Sequence, residues 1–182
     1  MGSRRFKIIN SSIEKTTIIK IRQCIVESVG IRRFLKGMVK FESGYKQAAI
    51  IEYNRAIIFH PELVPAYVNR GITKYGLGQY QEAIADYSRA IAIDPDATSY
   101  NNRGLAKAEL GKKQSAMNDF NRAIKIDPSF TQAYINRGKL KSSLGQKQAG
   151  IEDITRAAEL FHHHQQMDLY ESAIRLIWQI RG

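Results

Sequence analysis

The chain is poor in residues that staple or bend a polypeptide. Its 182 residues include one cysteine and four prolines. The lone Cys24 excludes an internal disulfide framework, and so few prolines exclude a collagen-like repeat. An unpaired thiol suits a reducing compartment, so a cytoplasmic location is the expectation. No apolar run approaches the ~20 residues that span a bilayer. The best candidate, 17–35, is broken by Lys20, Arg22, Glu27, Arg32 and Arg33. The opening Met-Gly-Ser-Arg-Arg-Phe has no secretory apolar segment. Paired cysteines, a phosphate loop and a Gly-rich dinucleotide turn are all missing. His162, His163 and His164 lack the i, i+4 spacing of a helical metal pair, because position 166 is Gln. No metal, cofactor or catalytic residue is therefore expected, and an enzyme is the weakest reading.

What is present is charge and repetition. Lys and Arg outnumber Asp and Glu by 28 to 17, and 43% of the chain is apolar, which fits a folded chain rather than a disordered one. Tyr67-Val-Asn-Arg-Gly71 returns as Tyr100-Asn-Asn-Arg-Gly104 and as Tyr134-Ile-Asn-Arg-Gly138. Arg-Ala-Ile begins at Arg55, Arg89 and Arg122, and Arg156-Ala-Ala follows. Pro61, Pro95 and Pro128 recur at intervals of 34 and 33 residues. Gly44, Gly78, Gly111 and Gly145 occupy one equivalent place, where a glycine after an amphipathic stretch stops a helix. The following stretch, such as 82–93, has apolar residues at i, i+3, i+4 and i+7, the pattern of a second helix, which Pro then ends.

This pattern resembles the tetratricopeptide repeat (TPR), a helix–turn–helix unit of about 34 residues. The family's aromatic, small residue, Ala, aromatic, Ala and Pro appear as Tyr67, Gly71, Ala83, Tyr87, Ala90 and Pro95. They return as Tyr100, Gly104, Ala116, Phe120, Ala123 and Pro128. Residues 30–164, about three quarters of the chain, are covered. The outer units deviate: Arg33 replaces the first aromatic, and Gly150, Ile154 and His162 replace Ala, aromatic and Pro in the fourth. The resemblance implies an all-α, right-handed α-solenoid with one preceding N-terminal helix and a C-terminal capping helix. The expected order is a basic tail at 1–12, an amphipathic helix at 13–29, units at 30–63, 64–96, 97–130 and 131–164, and the cap at 165–182.

One departure repeats in every unit. A base stands just before the small Gly, at Lys36, Arg70, Arg103 and Arg137, and a Lys follows one turn later, at Lys40, Lys74, Lys107 and Lys141. The second helix offers Glu52, Asp86, Asp119 and Asp153. Four such coincidences predict ion pairs between the two helices of each unit, directed away from the groove, in preference to a basic stripe for nucleic acid.

In the family the first helices line a concave groove that binds protein segments. Transferred to this chain, that implies groove residues Phe34 and Met38 from the first unit, Val68, Asn69 and Ile72 from the second, Asn101, Asn102 and Leu105 from the third, and Asn136 and Lys139 from the fourth. The surface grades from apolar to polar and carries few charges. Asn69, Asn102 and Asn136 share one position, as in superhelical members whose amides run as a ladder along an extended peptide. Each amide supplies a donor and an acceptor. The family's two-lysine clamp for a C-terminal carboxylate is not reproduced, because Phe34 and Met38, or Val68 and Ile72, take the places of its first two polar residues. A chaperone-tail ligand is thus not expected. The implied function is a non-catalytic adaptor or assembly factor for a peptide segment.

The ends keep other readings open. Residues 1–40 hold ten bases against two acids, a charge fit for an anionic membrane surface, RNA or an acidic protein. The low charge of the groove disfavours nucleic acid as its ligand. Ile18, Ile21, Ile25 and Val29 predict one apolar helix face, either stacked on the array or lying in the groove as a plug. Met167, Tyr170, Ala173, Ile174, Ile177 and Trp178 predict a capping face. Leu169, Leu176 and Ile180 extend it, through deep burial or through a homodimer.

Overall fold

A computed structural model of the chain describes the backbone of residues 2–182 and the side chains of 19, 20 and 22–182. It is all-α. The described residues form nine helices: α1 Gly2–Glu42, α2 Lys46–Phe59, α3 Val64–Tyr75, α4 Tyr80–Ile93, α5 Ala97–Glu109, α6 Lys113–Ile126, α7 Thr131–Ser143, α8 Lys147–His163 and α9 Met167–Arg181. They fall into two compact units, Met1–Arg70 and Gly71–Gly182, with the boundary inside α3. None of the described helices is long and apolar enough to cross a membrane.

The turns within helix pairs obey the repeated glycines. Gly44, Gly78, Gly111 and Gly145 have φ of +80°, +76°, +71° and +82°, with open space where a Cβ would stand. Conformation, not crowding, demands glycine there. Beyond each one the chain folds back: the Gln79 amide donates to the Lys74 carbonyl at 2.9 Å, and the Lys112 amide donates to the Lys107 carbonyl at 2.9 Å. These bonds satisfy carbonyls that a helix end would leave bare.

The other glycine series works by proximity. A Cβ on Gly37 would come within 2.5 Å of the Tyr53 ring; on Gly71, within 2.7 Å of Tyr87; on Gly104, within 2.7 Å of Phe120. The aromatic of the second helix lies on bare backbone of the first. In the fourth pair the arrangement shifts. Gly150 replaces Ala because a Cβ there would strike Ser142, and Ile154 replaces the aromatic against Gly138. Proline is also missing from this pair, and α8 accordingly runs 17 residues where α2, α4 and α6 run 14.

Within Gly71–Gly182, α4 to α9 pack each on the next, and α5 also touches α7 directly, which is the stacking of a solenoid. The cap closes it with the largest apolar cluster, where Ala173 and Ile177 of α9 join Ile151, Ile154, Ala157, Ala158 and Phe161 of α8. Leu176 and Ile180 pack against that cluster, whereas Leu169 stays exposed. Trp178, expected on the capping face, instead points outward at 65% exposure, with the Arg181 guanidinium 5.6 Å from its ring centre.

In Met1–Arg70, α1 pairs with α2. The expected breaks after residues 12 and 29 do not occur, since α1 is continuous from Gly2 to Glu42. Gly30 sits at the expected boundary. It is a helical contact residue rather than a stop: a Cβ on it would lie 2.7 Å from that of His60, so glycine lets α1 approach the end of α2. Of the expected apolar face, Ile18 and Ile21 lie outside the described side chains, Ile25 is exposed and Val29 is half-buried.

Candidate peptide-binding groove

The groove residues reach the surface because the bases around them are occupied elsewhere. Arg103 of α5 donates from Nε and Nη2 to the two carboxylate oxygens of Asp119 on α6, at 2.9 and 2.8 Å. Lys107 reaches the same carboxylate at 2.7 Å. Arg137 and Lys141 of α7 hold Asp153 of α8 in the same way, and Lys74 of α3 holds Asp86 of α4 at 2.8 Å. These are the expected pairs between helices. The first unit differs. Glu52 is taken by Arg33 at 3.2 Å and Arg55 at 2.5 Å, while Lys36 is left exposed. Arg33 stands where the later units have Tyr, and its fork reaches the acid first. Burial pushes the Glu52 carboxyl up, but the hydrogen bonds from Arg33 and Arg55 outweigh it and hold the group below its ordinary 4.5.

With those charges neutralised, the inner faces of α3, α5 and α7 in Gly71–Gly182 present two hollows that share Leu105. The first, about 230 Å³, is walled by Ile72, Tyr75, Tyr87, Asn102 and Leu105. The second, about 420 Å³, includes Leu105, Glu109, Lys113, Asn136 and Lys139, with Phe120 at its back. The Tyr75 hydroxyl donates to Glu109 at 3.2 Å. Burial first, and then the Glu109 charge, push the Tyr75 phenol up to about 12, so it stays a neutral donor. Lys113 and Lys139 have no carboxylate partner among the described residues.

The asparagines are not equivalent. Asn101 is only 4% exposed and lies beneath the surface, so it is a bridge rather than a groove contact. Its carbonyl oxygen accepts from Asn136 Nδ2 at 2.8 Å, and its own Nδ2 donates to the Asn102 carbonyl at 3.3 Å. The bridge fixes which way each outer amide faces. Asn102, whose side-chain oxygen is used in the bridge, lines the first hollow, and Asn136, which uses an N–H, lines the second. The doubled Asn at 101 and 102, unique to that repeat, was the sequence signal for this bridge. Phe34, Met38, Val68 and Asn69 lie in the other unit, all half-buried; the Phe34 ring lies tilted against that of Tyr53, with ring centres 6.0 Å apart. Among the described residues no three His, Cys, Asp or Glu side chains converge as a metal site would need.

The tetratricopeptide repeat pattern matches residues 64–96, 97–130 and 131–164, together more than half of the chain. The chain belongs to the tetratricopeptide repeat family. No curated protein matches its sequence. Among solved structures it is similar in fold to MamA 41-end from Desulfovibrio magneticus RS-1, with 19% identity, a TM-score of 0.68, and coverage of 74% of this chain and 76% of that one. A thermophilic TPR protein of Thermus thermophilus matches at 17% identity and a TM-score of 0.64, covering 82% and 90% of the two chains. The first TPR of Spaghetti (RPAP3), bound to the HSP90 peptide SRMEEVD, matches at 23% identity and 0.63, covering 65% and 95%. TPR arrays are protein-interaction modules and generally non-catalytic scaffolds. In this TPR chain the repeated frame of small and aromatic residues builds the helix pairs, and the Arg–Asp pairs join the two helices of the third and fourth.

Proposed function

We propose that this TPR protein is a non-catalytic adaptor that holds an extended peptide segment across the inner face of α3, α5 and α7. The observation carrying this reading is the pair of oriented amides beside two hollows, the first mainly apolar and the second lined by Glu109, Lys113 and Lys139 as well as Leu105 and Phe120. Asn102 offers N–H groups and Asn136 offers an oxygen, and a peptide unit supplies the complementary carbonyl and N–H. Amides that bind backbone do not read side chains; the hollows on either side of Leu105 do, the first favouring an apolar anchor and the second one that also meets Lys113 and Lys139. The RPAP3 domain's bound HSP90 peptide supports peptide capture as a use of this fold. The ligand here is of another kind, because apolar residues replace the polar clamp. Within residues 1–70, Phe34, Met38, Val68 and Asn69 offer half-buried surface of their own for such a ligand.

The test selects displayed peptides on the full chain and titrates the best into wild type, Asn102→Ala and Asn136→Ala. Each lost amide contact removes about 1 kcal/mol, or several-fold in affinity. Unchanged affinity with intact helicity removes the amides from the binding site.

A further inference from the structure

The apolar side chains of α1 that α2 does not cover are arranged rather than scattered. Ile31, Leu35 and Val39 follow one another at four-residue steps along one line of the helix, with Leu35 at 53% and Val39 at 61% exposure. Arg32, Lys36 and Lys40 form a parallel line, all exposed, rotated by about 100° around the axis. Ile25, also exposed, lies seven residues before Arg32 and so on the basic line, with exposed Lys20 and Arg22 nearby. Lys40 leans over the Tyr45 ring at 5.4 Å; Arg32 and Lys36 have no partner among the described residues.

We infer that this face of α1 seats on an anionic lipid surface. An aliphatic row beside a basic row is what the boundary between acyl chains and phosphate headgroups accepts: the first enters the hydrocarbon edge, and the second meets the phosphates. The charge pattern separates this occupant from the others. A second copy would bring like-charged rows together, which opposes self-pairing. Single-stranded RNA would want planar side chains for stacking, and the exposed row carries only aliphatic ones.

The experiment is co-sedimentation of the full chain with phosphatidylcholine vesicles, with and without about one third phosphatidylserine, at about 0.15 M salt. Binding to the phosphatidylserine vesicles alone is expected. Arg32→Gln with Lys36→Gln should weaken it about 25-fold, or about fivefold per base. Leu35→Ser with Val39→Ser should weaken it at least tenfold while circular dichroism stays unchanged, since both side chains are exposed. A nitroxide on Cys24, the only cysteine and exposed on α1, should become less accessible to polar quenchers on the vesicles. Absence of vesicle binding overturns the inference. So does binding that ignores the Leu35 and Val39 changes, which would mean charge alone. Tight binding of oligouridylate without vesicle binding would assign the basic row to RNA. A dimer that Leu35→Ser with Val39→Ser dissociates, again without vesicle binding, would assign the apolar row to a second copy.

Discussion

Arg103 lies between Asp119 and Tyr100: two of its nitrogens reach the carboxylate at 2.9 and 2.8 Å, and its guanidinium carbon lies 5.2 Å from the ring centre of Tyr100. Its third nitrogen donates to Ser88 on α4, in the preceding repeat, at 3.1 Å. Arg137 repeats all of this with Asp153, Tyr134 and Asn121 on α6. Arg70 donates to Asn54 on α2 and stacks on Tyr67. In the third and fourth repeats one arginine therefore joins the second helix of its own pair to the second helix of the pair before. A planar fork with five donors can do this, and a Lys could not.

The carboxylate is the vulnerable partner. Asp119→Ala strands two half-buried cations, Arg103 and Lys107, and should cost about 3 kcal/mol in chemical denaturation. Arg103→Met keeps the packing over Tyr100 and leaves Lys107 to pair with Asp119, so its cost should be smaller. An Asp119→Ala loss below that of Arg103→Met would show that the pair adds nothing to the fold.

The two glycine series should fail for different reasons. Gly104→Ala presses a methyl into the Phe120 ring and should cost about 1–3 kcal/mol by overpacking, with partial rescue by Phe120→Leu. Gly111→Ala meets no atom but must hold φ near +71°, and should cost about 1 kcal/mol that no neighbouring substitution recovers. Thermal denaturation of the three variants separates these outcomes.

Acid should weaken the α1–α2 pair through Glu52. Its folded pKa is depressed by Arg33 and Arg55, so its contribution is present above the ordinary carboxylate range and disappears as pH falls through the folded value. Midpoints of unfolding for wild type and Glu52→Gln should therefore converge below about pH 4 and separate at neutrality. A constant difference across that range would mean that Glu52 titrates alike in both states.

Trp178 is the only tryptophan and it faces outward, so its fluorescence should be that of a solvated indole, readily quenched by iodide. Trp178→Ala should change stability by no more than about 0.5 kcal/mol. A blue-shifted emission that reddens on dilution would instead mark α9 as a subunit contact.

Leu105 divides the two hollows, and Leu105→Ala should merge them. Peptide affinity should fall about tenfold in a titration monitored by anisotropy, with loss of preference among apolar anchors. Equal loss with every peptide, together with lower helicity, would mean damage to α5 rather than to the groove.

The repeat unit, its two helices, the stop glycines and the pairing of bases with acids were all legible in the residues, because each is a local period or a chemical match repeated several times. The length of α1 was not. The repeat register placed a boundary at residue 30, and only the contact of Gly30 with His60 shows that position to be a packing point inside one helix. Likewise Asn101 and Asn102 look alike in the sequence. Which of them sinks to become a bridge depends on where α7 brings Asn136, and that is a distance between repeats rather than a property of either residue. Trp178 looked like core because it is large and apolar, yet Ala173 and Ile177 fill the contact with α8 and leave it outside. The sequence by itself determined which segments are helices and how each pair closes, since backbone conformation and capping are short-range. Only the tertiary structure decided which side of each helix stays open to a partner, because that depends on which neighbour arrives first and at what spacing.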